Sequence, residues 1–107
     1  MPRWLPKVLL QITGLAAARR LSFTHKASRE LAALGLGFDP EDARDVLLKL
    51  TERDSAGRLA SAVTGEWMYI FKPVIEARII YVKVIIRTNC IVVSFHGDEG
   101  ADDDEAP

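Results

Sequence analysis

An α+β fold is what the sequence predicts, with three N-terminal helices packed on one face of a four-stranded antiparallel sheet. Apolar residues recur at helical spacing through the first half of the chain and then alternate with a period of two through the second. The connections between the later segments are also too short for the crossover of about a dozen residues that a parallel return requires. Helices first and a meander afterwards place the helices together on one side of the sheet. At 107 residues the chain has room for one modest core, so residues 1–97 are expected to form a single domain.

In "LPKVLLQITGLAAARR", Val8, Leu9, Ile12, Leu15 and Ala16 share a helical face, with Pro6 near the start and Arg19 and Arg20 at the end. A second helix fits "HKASRELAALG", where Ala27, Leu31 and Leu34 form the stripe and Gly35 closes it. The third carries the fullest set of signals. Asp39 can cap, Pro40 suits the first turn, Glu41 and Asp42 complement the dipole, and Ala43, Val46, Leu47 and Leu50 align.

Strands are then expected over residues 58–63, 66–73, 78–86 and 90–96, joined at Thr64-Gly65, near Glu76-Ala77, and at Arg87-Thr88-Asn89. Parity sorts their side chains. Ile80, Val82, Val84 and Ile86 form an aliphatic core face, which leaves Ile79, Tyr81, Lys83 and Ile85 opposite. In the last strand Ile91, Val93 and Phe95 are expected in the core, with Cys90, Val92, Ser94 and His96 outside it. Tyr81, Lys83, Ser94 and His96 therefore belong to one helix-free face.

Composition narrows the function classes. A single cysteine excludes an internal disulfide framework and points to a reducing compartment, and we expect a cytoplasmic protein. No apolar run reaches the roughly 18 residues of a membrane span. The N-terminus has a charge before an apolar run, as a signal peptide would, but its periodicity is that of an amphipathic helix and no cleavage site follows. Charge is segregated. Six of the 15 acids lie beyond Gly97, leaving nine acids against 14 bases in residues 1–97, a body suited to a polyanionic partner. The remaining stretch, residues 98–107, reads as a disordered acidic tail, either a solubilising end or a segment able to bend across the basic face and mimic the charge of a polyanionic partner. One cysteine and two distant histidines offer no metal-ligand spacing, and "GLGF" lacks the Lys-Ser/Thr of a phosphate loop. Neither a metal nor a cofactor is expected.

Between residues 31 and 96, "LAALGLGFDPEDARDVLLKLTERD", "EWMYIFKP", "IIYVKV" and "CIVVSFH" follow one another in an order and spacing that resemble the MqsR family of bacterial toxins, from type II toxin–antitoxin modules. The resemblance implies a fold like that of RelE-type ribonucleases, with a curved sheet. It implies cleavage of single-stranded mRNA at short GC-containing sequences without the ribosome, and neutralisation by a cognate DNA-binding antitoxin. Residue by residue, Tyr81 falls on a tyrosine of the family's proposed active site. His96 stands where the family has a lysine, Arg58 replaces another lysine after a one-residue gap, and Met68 replaces a glutamine.

Cleavage of RNA through its own 2′-hydroxyl needs a base, an acid for the departing 5′-oxygen, and cations for the developing charge. Histidine suits the proton transfers, because an unperturbed pKa of about 6.5 lets it serve either way near neutrality. The candidate catalytic residues are thus His96, Tyr81 and Arg58, and the candidate RNA-binding residues Lys72, Lys83 and Arg87. Each also has a plainer reading as a strand-end or sheet-surface side chain. Cys90 is read as a small hydrophobe. Two alternatives to an enzyme remain open: a non-catalytic RNA-binding or antitoxin-binding relative, and a partner domain whose open sheet edge pairs with another chain.

Overall fold

A computed structural model describes residues 2–98. Helix α1 spans Leu5–Ala17, β1 Leu21–Phe23, α2 His25–Ala33 and α3 Pro40–Leu48; a 3₁₀ turn over Glu52–Asp54 leads into β2, Ser55–Ala60. Then follow β3, Trp67–Phe71, β4, Val74–Ile75, β5, Arg78–Ile86, and β6, Cys90–Gly97. The tail reading for residues beyond Asp98 falls outside the described residues.

The α+β class and the three helices agree with expectation, whereas the sheet is larger and mixed. Its order is β1-β6-β5-β3-β2, with β4 paired to β5 off that path. The additions are the two-residue β4 and β1, and β1 lies parallel to β6, pairing Leu21 with Cys90 and Phe23 with Val92. Three residues are too few to show a period, so "LSF" carries no strand signal of its own. Its strand exists because the edge of β6 supplies the partner, and the bonds from Cys90 N to Arg20 O and from Thr24 N to Val92 O extend the pairing. To release the chain into β1, α1 stops at Ala17 instead of running to Arg20. Arg20 N donates to Leu15 O and Arg19 N to Ala16 O, the two closing bonds of a Schellman turn, with Arg19 at φ +60° where glycine is usual. Helix α3 braces this end, since Arg44 Nε donates to Ala16 O at 2.7 Å and Arg19 pairs with Glu41 at 2.6 Å.

Capping explains the other helix starts. Thr24 Oγ1 accepts from Ala27 N at the start of α2, and Asp39 and Asp42 exchange side-chain and backbone bonds in a capping box before α3.

The core lies between helices and sheet. It joins Leu5, Val8, Ile12 and Ala16 of α1, Ala27 and Leu31 of α2, and Ala43 and Leu47 of α3 to Phe71, Ile80, Val82, Val84, Cys90, Val92 and Phe95. Cys90 and Val92 are 0% exposed, the reverse of their expected side, while Ile91 and Val93 are half-buried. The cause is a bulge. Lys83 pairs with Ser94 but Val84 pairs with Val92, so Val93 is an extra residue and parity inverts across it. Phe95 points inward, and Ser94 and His96 outward, as parity counted from the far end requires.

A second correction concerns the first meander strand, which runs over 55–60 instead of 58–63. Ser55 pairs with Phe71 and Arg58 with Tyr69, an irregularity accommodated at Gly57, whose φ is +99°.

Phe95 is fully buried at the centre of this arrangement. Phe95→Ala is expected to cost about 3–5 kcal/mol, most of the stability of a small domain, as a lowered denaturant midpoint in equilibrium unfolding.

Candidate active site

Antiparallel pairing of β5 with β6 sets Tyr81 directly opposite His96 and Lys83 opposite Ser94 on the helix-free face. The Tyr81 and His96 rings stack, with centroids 5.0 Å apart and planes inclined by 11°. His96 Nδ1 lies 2.8 Å from the Gly97 carbonyl oxygen. A carbonyl only accepts, so in the neutral imidazole this bond places the proton on Nδ1 and the lone pair on Nε2. Burial first, and then the negative charge of Asp98, raise the pKa of the Tyr81 hydroxyl above its ordinary value.

Cations flank the stacked pair. The Nζ atoms of Lys72 and Lys83 each lie 6.0 Å from the centre of the Tyr81 ring. Lys72 follows β3, where its N–H donates to Asp54 O, and its ammonium pairs with Asp98 at 3.3 Å. Asp98 is itself fixed by a bond from its N–H to Ile79 O. Burial, with the neighbouring charge of Lys26 second, pulls the ammonium of Lys83 below its usual pKa, while Glu30 opposes the shift.

The rim on the β6 side was not visible in the sequence. Beyond Val92, β6 loses β1 as a neighbour and α2 takes its place. Glu30 Oε1 accepts from Phe95 N at 3.0 Å, satisfying an edge N–H that would otherwise stay unpaired. Lys26 Nζ donates to Ser94 Oγ at 3.0 Å and pairs with Glu30 at 2.9 Å. Ser94 is consequently only 2% exposed although it sits on the helix-free face. The i,i+4 spacing of Lys26 and Glu30 is legible as a helix pair, but nothing in it announces docking against a strand.

The structure separates two expected members from this group. Arg58, paired in register with Tyr69, lies on the helix side of the sheet, its guanidinium 3.8 Å from the Trp67 ring and 4.9 Å from that of Trp4. Arg87 is engaged by Glu66 through two bonds of 2.8 and 2.6 Å near the far hairpin. Met68 is half-buried in β3. Burial pushes the Cys90 thiol up to about 12, consistent with a small hydrophobe. Among the described residues no three His, Cys, Asp or Glu side chains gather as metal ligands, and no helix is long and apolar enough to cross a membrane. A concavity of about 440 Å³ elsewhere is lined by Asp42, Asp45, Asp54 and Glu76 against Lys49 alone, the wrong charge for a polyanion.

A small α+β domain that stacks a tyrosine on a histidine between lysines on an open sheet face is the class defined by this geometry. The family model described as motility quorum-sensing regulator, toxin of MqsA, matches residues 6–97, and the chain belongs to this MqsR toxin family. It is therefore a toxin of a toxin–antitoxin system, with an antitoxin as partner. No curated protein matches the chain.

The Arg87 pair has a readable consequence. Its hydrogen bonds hold the Glu66 carboxyl down to about 2 from an ordinary 4.5. A carboxylate with a lowered folded-state pKa stabilises the fold above its unfolded pKa and loses that contribution as pH falls through the folded value. Glu66→Gln should thus flatten the fall in melting temperature between about pH 4.5 and pH 2, measured by circular dichroism, while leaving the near-neutral slope unchanged.

Proposed function

We propose that this toxin is an endoribonuclease that cleaves single-stranded mRNA at short sequence motifs by acid–base chemistry on a RelE-like fold. The stacked Tyr81–His96 pair between Lys72 and Lys83 is the observation that carries the reading. In the proposed step His96 Nε2 takes the proton of a ribose 2′-hydroxyl. The 2′-oxygen bonds to the adjacent phosphorus and the bond to the 5′-oxygen breaks, giving a 2′,3′-cyclic phosphate. The phenol of Tyr81 hydrogen-bonds the phosphate and delivers a proton to the departing 5′-oxygen, and the lysine ammoniums offset the charge that grows on the phosphoryl oxygens. Arg58, clamped between two indoles on the other face, and Arg87, held by Glu66, have no part in this step.

Histidine where the family carries lysine supports proton transfer at neutral pH, because an imidazole can present a lone pair there and a solvated ammonium cannot. Met68 in place of the family's glutamine favours a second reading, a relative that binds RNA or antitoxin without cutting. Purified protein and a single-stranded RNA separate the two. Under the first reading His96→Ala lowers the cleavage rate by about a hundredfold or more and Tyr81→Phe by less, with melting temperature and RNA affinity nearly intact. Wild-type protein that binds the RNA and leaves it whole at every concentration would sink the enzyme reading.

The Lys72–Asp98 pair adds a regulatory element to this site, since the carboxylate occupies the ammonium that a phosphate would use. Asp98→Asn should strengthen RNA binding by up to about fivefold at low salt, the scale of an exposed ion pair, with the gain fading as salt rises. Equal affinities for variant and wild type in a fluorescence anisotropy titration would remove Asp98 from the site.

A further inference from the structure

Three lysines border the Tyr81–His96 pair, and their charges are unequally balanced. Lys72 has a carboxylate of its own in Asp98. Lys26 pairs with Glu30, which is also committed to the Phe95 N–H, and Lys83 stands opposite Ser94, the residue that holds Lys26 Nζ. The β6 side of the site therefore carries a surplus positive charge, and, second to burial, the charge of Lys26 helps to pull the Lys83 ammonium below its usual pKa. An anion placed between them would relieve that repulsion.

Position adds to charge. The order of elements across the face is β3, β5, β6 and then α2 at the edge of β6, so Lys72, Tyr81 and His96 form a row that crosses the strands, and Lys26, held by Ser94 opposite Lys83, stands past its β6 end in the adjoining row. With strands about 4.8 Å apart, that row has the reach of more than one nucleotide. Lys26 is well placed to end it. Its Nζ is fixed by Ser94 Oγ at 3.0 Å, yet its side chain remains 57% exposed and open to a ligand. A tethered ammonium loses less side-chain freedom on binding than a loose one.

We infer that Lys26, together with Lys83, binds a backbone phosphate of single-stranded RNA on the β6 side of the Tyr81–His96 pair, Lys72 receiving a phosphate on the other side. The inference rests on the ribonuclease reading and deepens it, making α2 a wall of the RNA track. Lys26 acts as a positioning residue: it touches the backbone next to the scissile bond and carries no sequence preference.

The test uses the full chain and a single-stranded oligonucleotide with 2′-O-methyl groups, which lacks the attacking hydroxyl and is bound without being cut. Affinity is measured between about 50 and 200 mM salt. Lys26→Gln should weaken binding several-fold at low salt, equally for oligonucleotides of different sequence, and should reduce the slope of log affinity against log salt by about 0.7, the value of one single-strand phosphate contact. Lys26→Arg should restore the slope. On unmodified RNA, Lys26→Gln should raise KM with kcat little changed. A Lys26→Gln slope and affinity equal to wild type overturns the inference, and so does a loss confined to antitoxin binding. Loss of slope with no RNA cleavage by wild type leaves the phosphate contact standing and refutes the ribonuclease reading alone.

Discussion

One extra residue in β6 decides which side of the sheet every later side chain takes. Because Val93 is bulged out of the β5–β6 pairing, Cys90 and Val92 can fill the core at one end of the strand while Phe95 fills it at the other. Without the bulge, a strand that buried Cys90 and Val92 would also bury Ser94 and His96 and turn Phe95 to solvent, an arrangement that loses a large aromatic from the core and strands an imidazole in it. The bulge reconciles two sets of core residues that strict alternation cannot. As a by-product it sets His96 opposite Tyr81.

The same strand is completed by different neighbours along its length. Up to Val92 its outer edge is satisfied by β1, and beyond it by the carboxylate of Glu30. Thr24 joins the two regimes, since its hydroxyl accepts from Ala27 N to start α2 while its backbone N–H reaches Val92 O. An edge N–H left unpaired here would cost about 1–3 kcal/mol, and α2 removes that cost by side-chain chemistry in place of another strand. Lys26 is brought to the site by this arrangement. The cation that ends the proposed phosphate row is thus tied to the device that closes the sheet.

Much of this was readable from the residues, and the failures have physical reasons. Helix α3 was legible because Asp39, Pro40, Glu41 and Asp42 each state the same boundary, and β5 because Ile80, Val82 and Val84 alternate with Tyr81 and Lys83. The run "CIVVSF" is apolar on both faces, so it contains no polar marker to reveal where its parity inverts. Counting back from Phe95 gave the right side for Ser94 and His96 and the wrong one for Cys90 and Val92. Arg58 needed the register of β2, which depends on the irregularity at Gly57 and on a partner strand. Lys26, Glu30 and the seating of Asp98 depend on contacts with residues distant in the sequence, which no local pattern encodes.

Charge gives these pieces a common logic. The body of the chain is basic by formal count and six of the 15 acids gather after Gly97, yet the first of these six, Asp98, is built into the site by its backbone bond to Ile79 and its ion pair with Lys72. Its charge also helps to raise the pKa of the Tyr81 phenol. An incoming phosphate that replaced Asp98 at Lys72 would leave a negative group beside that phenol, so the upward push on its pKa would persist through binding. Under the proposed ribonuclease reading, Asp98 and the phosphate that would displace it act on the Tyr81 pKa in the same direction.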